Sequence, residues 1–204
     1  NVRIDQAVTD VTGQTGMAII RAILGGQRDP VALARLRHER CNKSEEQIAE
    51  ALFGKWADEH LFALRQAVAT WDHYQALIAQ CNQQVETYAH VFDKKVTRET
   101  IPPQRRKEHV RKNVFPFEAR ELFYEILGVD LTQIDGISVG TIAVFLSEVG
   151  TSVDAFASEK KFTSWLRLSP GSKITGGKNR SGKNFPTTNR LATALRLAAQ
   201  ALEK

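Results

Sequence analysis

The sequence predicts an all-α protein: short helices, a long coiled-coil-like helix, a linker, and then a helical domain with a helix-hairpin-helix motif. Apolar residues recur at steps of three and four along most of the 204 residues. Gly, Pro and capping residues fall between these periodic runs. No segment alternates apolar and polar residues for long enough to read as a strand, and nothing repeats at a solenoid period.

The first helices occupy residues 14 to 53. Gly25 and Gly26 end the first, which carries Met17, Ile20, Ile23 and Leu24 on its apolar side. Asp29 and Pro30 open the second, the acid as N-cap and the proline at the first helical position, where its missing N–H is no loss. Ser44 and Gln47 have capping-box spacing, and the third helix runs from there to Gly54.

Residues 57–92 contain no Pro or Gly. Leu61, Leu64, Val68, Trp71, Gln75, Ile78, Asn82, Val85, Ala89 and Phe92 follow at alternating three- and four-residue steps, the seam of a helix that pairs along its length. Gln75 and Asn82 are polar interruptions of the kind that fix register or oligomeric state. Two partners fit the seam: another copy of the chain, or the earlier short helices in an intramolecular hairpin. Such a helix reaches about 54 Å at 1.5 Å per residue, further than the core of a small domain, which favours self-association as a dimer or tetramer. From Asp93 to Phe117 the periodicity gives way to charge, Pro102, Pro103 and Pro116, the composition of a linker. The expected domains are therefore 1–92 and 118–204, joined by 93–117.

In the second domain, Glu118 to Leu127 form a helix stopped by Gly128. Ile134 to Ala143 then have the helix-hairpin-helix pattern. Gly136 and Gly140, four apart, permit a tight turn, and the following helix begins with free backbone N–H groups that suit a DNA or RNA phosphate. Glycines that serve packing alone give the same pattern. Phe162 to Leu168 complete a helix containing Trp165. Residues 169–183 then combine four glycines, four hydroxyls and four cations, a backbone able to mould its amides around phosphate oxygens. The loop is not a Walker motif, because Asn179 follows Gly177 and Lys178. A disordered basic loop has the same composition. The apolar helix Thr188 to Leu202, with Leu191, Leu195, Ala198 and Ala199 on one face, closes the chain.

Charge divides the chain more sharply than its net +5 suggests. Residues 1–159 carry 18 Lys and Arg against 22 acids, and residues 160–204 carry 10 against 1. A basic end on a mildly acidic body is the asymmetry of a chain that meets a polyanion, because cations placed near phosphates release condensed counterions. A solvated basic tail is the plainer alternative. A smaller basic cluster, Arg105, Arg106, Lys107, Arg111 and Lys112, falls within the linker.

No run approaches the 18 to 20 apolar residues of a spanning helix, and the polar start is no signal peptide. A cytoplasmic location is expected, with no membrane partner. Cys41 and Cys81 are too few for a disulfide framework and lack metal spacing. His38, His60, His73, His90 and His109 stand apart from any ligand set, so no metal site is expected in this chain. Asp130, Asp135 and Glu148 are assigned structural roles. With Asn at position 1, the chain is expected to be a piece of a longer protein.

Val8 to Gly13, Gly16 to Ile23, Glu59 to Leu64, Gly136-Ile137, and above all Ser169-Pro-Gly-Ser-Lys-Ile-Thr-Gly-Gly-Lys178 with Asn189-Arg190 and Ala194 to Ala199, carry a resemblance. In these residues and in their order the chain resembles the bridge-RNA-guided insertion-sequence transposases, DEDD-type recombinases with a C-terminal serine-carrying domain. The resemblance implies an upstream RNase H-like domain whose four carboxylates bind Mg2+, a long-helix region for assembly, and a helical domain that supplies a nucleophilic hydroxyl. This chain begins after those carboxylates and ends before the family's last helices, so alone it is expected to bind DNA and guide RNA and to assemble without recombining DNA.

The family's nucleophilic serine, just before Gly-Gly-Lys, falls on Thr175. That is a departure: the oxygen is of the same kind, but β-branching restricts χ1 and adds a methyl group. Ser172 is the fallback and Ser181 a further one. Lys173, Lys178, Arg180 and Lys183 are expected to neutralise phosphates, and Gly136, Gly140, Gly176, Gly177 and Arg190 complete the nucleic-acid-binding set. The competing readings are a non-catalytic nucleic-acid-binding and oligomerisation module, and a helical scaffold for which nucleic acid is incidental.

Overall fold

A computed structural model describes residues 2–104, 114–169, 174–179, 186 and 188–202. Those residues are all-helical, with one exception, a hairpin of two residues per strand. The helices are α1 (Ile4–Ala7), α2 (Gln14–Leu24), α3 (Pro30–Ala34), α4 (Glu45–Leu52), α5 (Asp58–Ala89), α6 (Ala119–Leu127), α7 (Val139–Val149), α8 (Glu159–Trp165) and α9 (Arg190–Gln200). Two compact units divide the chain, residues 1–78 and 79–204.

In the first unit the local signals settle the short helices. Asp29 accepts hydrogen bonds from the backbone N–H groups of Val31 and Ala32 at 3.1 and 3.2 Å, with Pro30 behind it. Ser44 and Gln47 make both bonds of the capping box at the start of α4. Ala7, Val8, Ile19, Ile23, Leu33, Ala34, Ile48 and Leu52 form the buried core, and Leu61 and Leu64 of α5 pack against it. Arg28 lies over the Trp56 ring at 5.2 Å and covers the edge of that core.

α5 is one unbroken helix of 32 residues, about 48 Å long. Its seam is used unevenly. Leu61 and Leu64 join the first unit's core and Ala89 is buried in the second unit's, but every residue from His73 to Cys81 is exposed, including Ile78 at 49%.

In the second unit, Ala89, Ala119, Leu122, Phe123, Ile126 and Ile142 form one buried cluster; Leu166, Leu191 and Ala192 form another beneath Phe145 and Phe162. α7 packs against both α6 and α9 and so ties the clusters together. Within the segment whose composition reads as a linker, residues 93–104 are fastened along α6. The Lys95 N–H donates to the Glu125 carbonyl at 2.8 Å, Lys94 pairs with the Glu125 carboxylate at 2.9 Å, and the Tyr124 hydroxyl donates to the Thr100 carbonyl at 2.9 Å. The Glu125 carbonyl lies in the last turn of α6, where helical partners run out, so the strap supplies a missing donor. Residues 105–113, which carry the basic cluster, lie outside the described residues.

Candidate nucleic-acid interface

A buried ion pair precedes the candidate glycines Gly136 and Gly140 in the chain. Arg120 on α6 reaches Asp130 at 2.6 Å, with side chains 12% and 1% exposed. The same guanidinium donates to the Pro102 carbonyl at 2.7 Å, which joins the strap to the pair. Asp130 also accepts from the Thr132 N–H and hydroxyl and from Gln133. Burial by itself pushes the Asp130 carboxyl up, but the hydrogen bonds from Thr132, Arg120 and Gln133 outweigh it and hold the group below its ordinary value.

These bonds wind Leu131–Gln133 into a single 3-10 turn, capped by Asp130. The structure therefore does not bear out a helix-hairpin-helix: a three-residue turn, rather than an α-helix, precedes the glycines. Gly136 is left-handed at φ +83, and a Cβ there would lie 2.6 Å from the Ala198 carbonyl oxygen of α9. It lets two backbones approach. Gly140 sits inside α7, where a Cβ would meet only Ser138 Oγ, at 3.7 Å. The helix start is capped internally, because Ser138 Oγ accepts from the Thr141 N–H at 3.2 Å.

The basic loop contains the hairpin. β1 (Ile174–Thr175) pairs antiparallel with β2 (Lys178–Asn179), placing Thr175 opposite Lys178. Gly176 and Gly177 form the tip with φ +58 and +73, the doubly left-handed geometry of a two-residue type I′ turn, which side chains disfavour. Gly176, Gly177 and Lys178 are exposed. Ser172, Lys173, Arg180, Ser181 and Lys183 lie outside the described residues. Arg190 opens α9 and pairs with Glu148 of α7 at 2.6 Å, while Asn189 caps the helix by accepting from the Ala192 N–H.

One residue that the sequence did not flag is Arg167, the sole non-glycine with positive φ among the described residues, at +56. α8 ends in a Schellman motif: the Leu168 N–H donates to the Thr163 carbonyl at 3.0 Å and the Arg167 N–H to the Ser164 carbonyl at 2.9 Å. Glycine normally takes the position of Arg167, and a side chain there costs about 1 kcal/mol. No group of three or more His, Cys, Asp or Glu among the described residues can hold a metal ion. Nor is any described helix long and apolar enough to cross a membrane.

Comparison with known families gives one match. Residues 130–203 match the family model described as Transposase IS116/IS110/IS902 family. The matched stretch is similar to an IS110-type transposase region and covers about a third of the chain. The match begins at Asp130 of the buried pair and takes in α7, α8, the hairpin and α9. No curated protein and no solved structure matches the chain.

Proposed function

We propose that the chain is part of a DNA transposase in which the hairpin holds the sugar–phosphate backbone and Thr175 supplies the hydroxyl for strand cleavage and exchange. The observation that carries this reading is the register Thr175 opposite Lys178 at a Gly-Gly tip, within the stretch that matches the transposase family. That register sets Thr175 across the strand pair from Lys178 along the backbone. Attack of Thr175 Oγ1 on a DNA phosphorus forms a phosphothreonine bond. The departing deoxyribose oxygen takes up a proton, and the threonine proton passes to a base. Because one phosphodiester replaces another, the reverse attack by a new strand's hydroxyl reseals DNA without further energy. Lys178, with Lys173, Arg180 and Lys183, offsets the charge that develops on the phosphoryl oxygens. Gly176 and Gly177 allow a close backbone approach, and Arg190 stands at the start of α9.

DNA and a guide RNA are the two polyanions of this reading. Copies of the chain associate through residues 57–92, whose seam is exposed from His73 to Cys81, and Mg2+ belongs to an RNase H-like domain upstream. The full-length protein with its guide RNA and DNA tests the nucleophile. Thr175→Ala abolishes the covalent protein–DNA adduct on a denaturing gel, and Thr175→Ser retains it. Persistence of the adduct in Thr175→Ala removes Thr175 from the role. A second reading, a non-catalytic nucleic-acid-binding and oligomerisation module, draws on the threonine where the resembling family has serine. Under it Thr175→Ala changes nothing, and Lys178→Ala still weakens binding.

A further inference from the structure

Beside the start of α9, within the second unit, a cleft of about 530 Å3 is lined by Glu148, Trp165, Arg167, Pro186, Thr188 and Asn189. Trp165 is 42% exposed although its ring is already supported: Phe162 stacks on it at 6.2 Å with 23° between the planes, and Phe156 leans on it at 5.2 Å. An indole braced by two rings and still open to solvent is a rigid stacking platform whose ordering cost has been met by folding.

Arg167 faces the same cleft from a backbone conformation that favours glycine. Its guanidinium donates to the Pro186 carbonyl at 3.1 Å, one of the five donors such a group carries. Glu148, the acid of the cleft, is engaged by Arg190. A supported aromatic face, a donor fork and a neutralised acid make a site for a flat, electron-rich ring attached to an anion.

We propose that Trp165 and Arg167 seat one unstacked nucleotide of the bound nucleic acid, the base on the indole and its phosphate on the guanidinium. This rests on the nucleic-acid reading above and names the form of the substrate: a strand opened by at least one base. Strand exchange requires it, since bases at the exchange point must leave one partner before they pair with another. Base stacking on an aromatic side chain is tolerant of sequence, so the seat asks for an unpaired base and not for a particular one.

The experiment compares the affinity of the 204-residue chain for a fluorescent DNA duplex with that for the same duplex carrying one central unpaired adenine. The intact protein prefers the bulged duplex by about fivefold or more. Trp165→Leu, which keeps an apolar contact for Phe156 and Phe162, and Arg167→Gly, which relieves the left-handed backbone, each remove that preference while fully paired duplex is still bound. A melting temperature unchanged or raised in Arg167→Gly shows that the loss comes from the side chain and not from the fold. Equal affinity of the intact protein for both duplexes, or a preference that survives both substitutions, overturns the seat and leaves duplex binding standing. Failure to bind either duplex at low salt overturns the nucleic-acid reading itself, and the seat falls with it.

Discussion

Asp130 and Arg120 form a buried pair at 2.6 Å, and the same guanidinium holds the Pro102 carbonyl, so one contact joins α6, the turn before α7 and the strap. Removing one partner of such a pair leaves a buried charge without its counterion. Asp130→Ala is therefore expected to destabilise the second unit by about 3–5 kcal/mol, measured by urea unfolding. A loss under about 1 kcal/mol would show that water replaces the carboxylate without penalty.

The pair also predicts an acid dependence. The folded pKa of Asp130 lies below the unfolded reference of 3.8, so the stabilisation is complete above that value and is lost as pH falls through the folded pKa. The gap in melting temperature between the intact protein and Asp130→Asn should be widest near neutral pH and shrink in acid. A constant gap from pH 7 to pH 3 contradicts this assignment.

Gly136 and Gly140 separate packing from helix propensity. Gly136→Ala combines a left-handed backbone with a Cβ 2.6 Å from the Ala198 carbonyl oxygen, and is expected to cost about 2 kcal/mol or more. Gly140→Ala has room inside α7 and should gain up to about 1 kcal/mol. Thermal melts of both variants show the sign; matching signs would mean that the turn before α7 is misplaced.

The uncovered stretch of α5 predicts that Ile78→Glu lowers the oligomeric state of the full chain, seen as a fall in mass by light scattering, with helicity retained. A protein that is monomeric before the substitution excludes the seam as an assembly surface.

Duplex affinity should depend on Lys178. Lys178→Ala is expected to weaken binding equally for unrelated sequences and to reduce the slope of log K against log salt by about 0.9 for a lost phosphate contact. A sequence-dependent loss would point to base reading instead.

Much of the helical architecture was legible because its causes are local. The Asp29-Pro30 start, the Ser44 and Gln47 capping box and the glycine stop at Gly128 each act within one turn of chain, and the structure places helix ends there. The hairpin escaped notice because two residues per strand are too few to show a period, although Gly176-Gly177 is a turn signal. Three other features depend on residues distant in sequence. The Ala198 carbonyl decides what Gly136 does, Arg120 decides the shape of the turn after Asp130, and the left-handed turn at Arg167 carries no glycine to announce it. Thr175 was nominated by resemblance, and its place opposite Lys178 adds a backbone register to that nomination.

The Arg120–Asp130 contact has a practical consequence for anyone who wishes to excise the stretch that matches the transposase family. Scissors set at the family match, residue 130, would keep the acid and discard its guanidinium along with the ribbon of chain that α6 wears from Lys94 to Pro102. A cut made upstream of Lys94 carries the whole knot away intact.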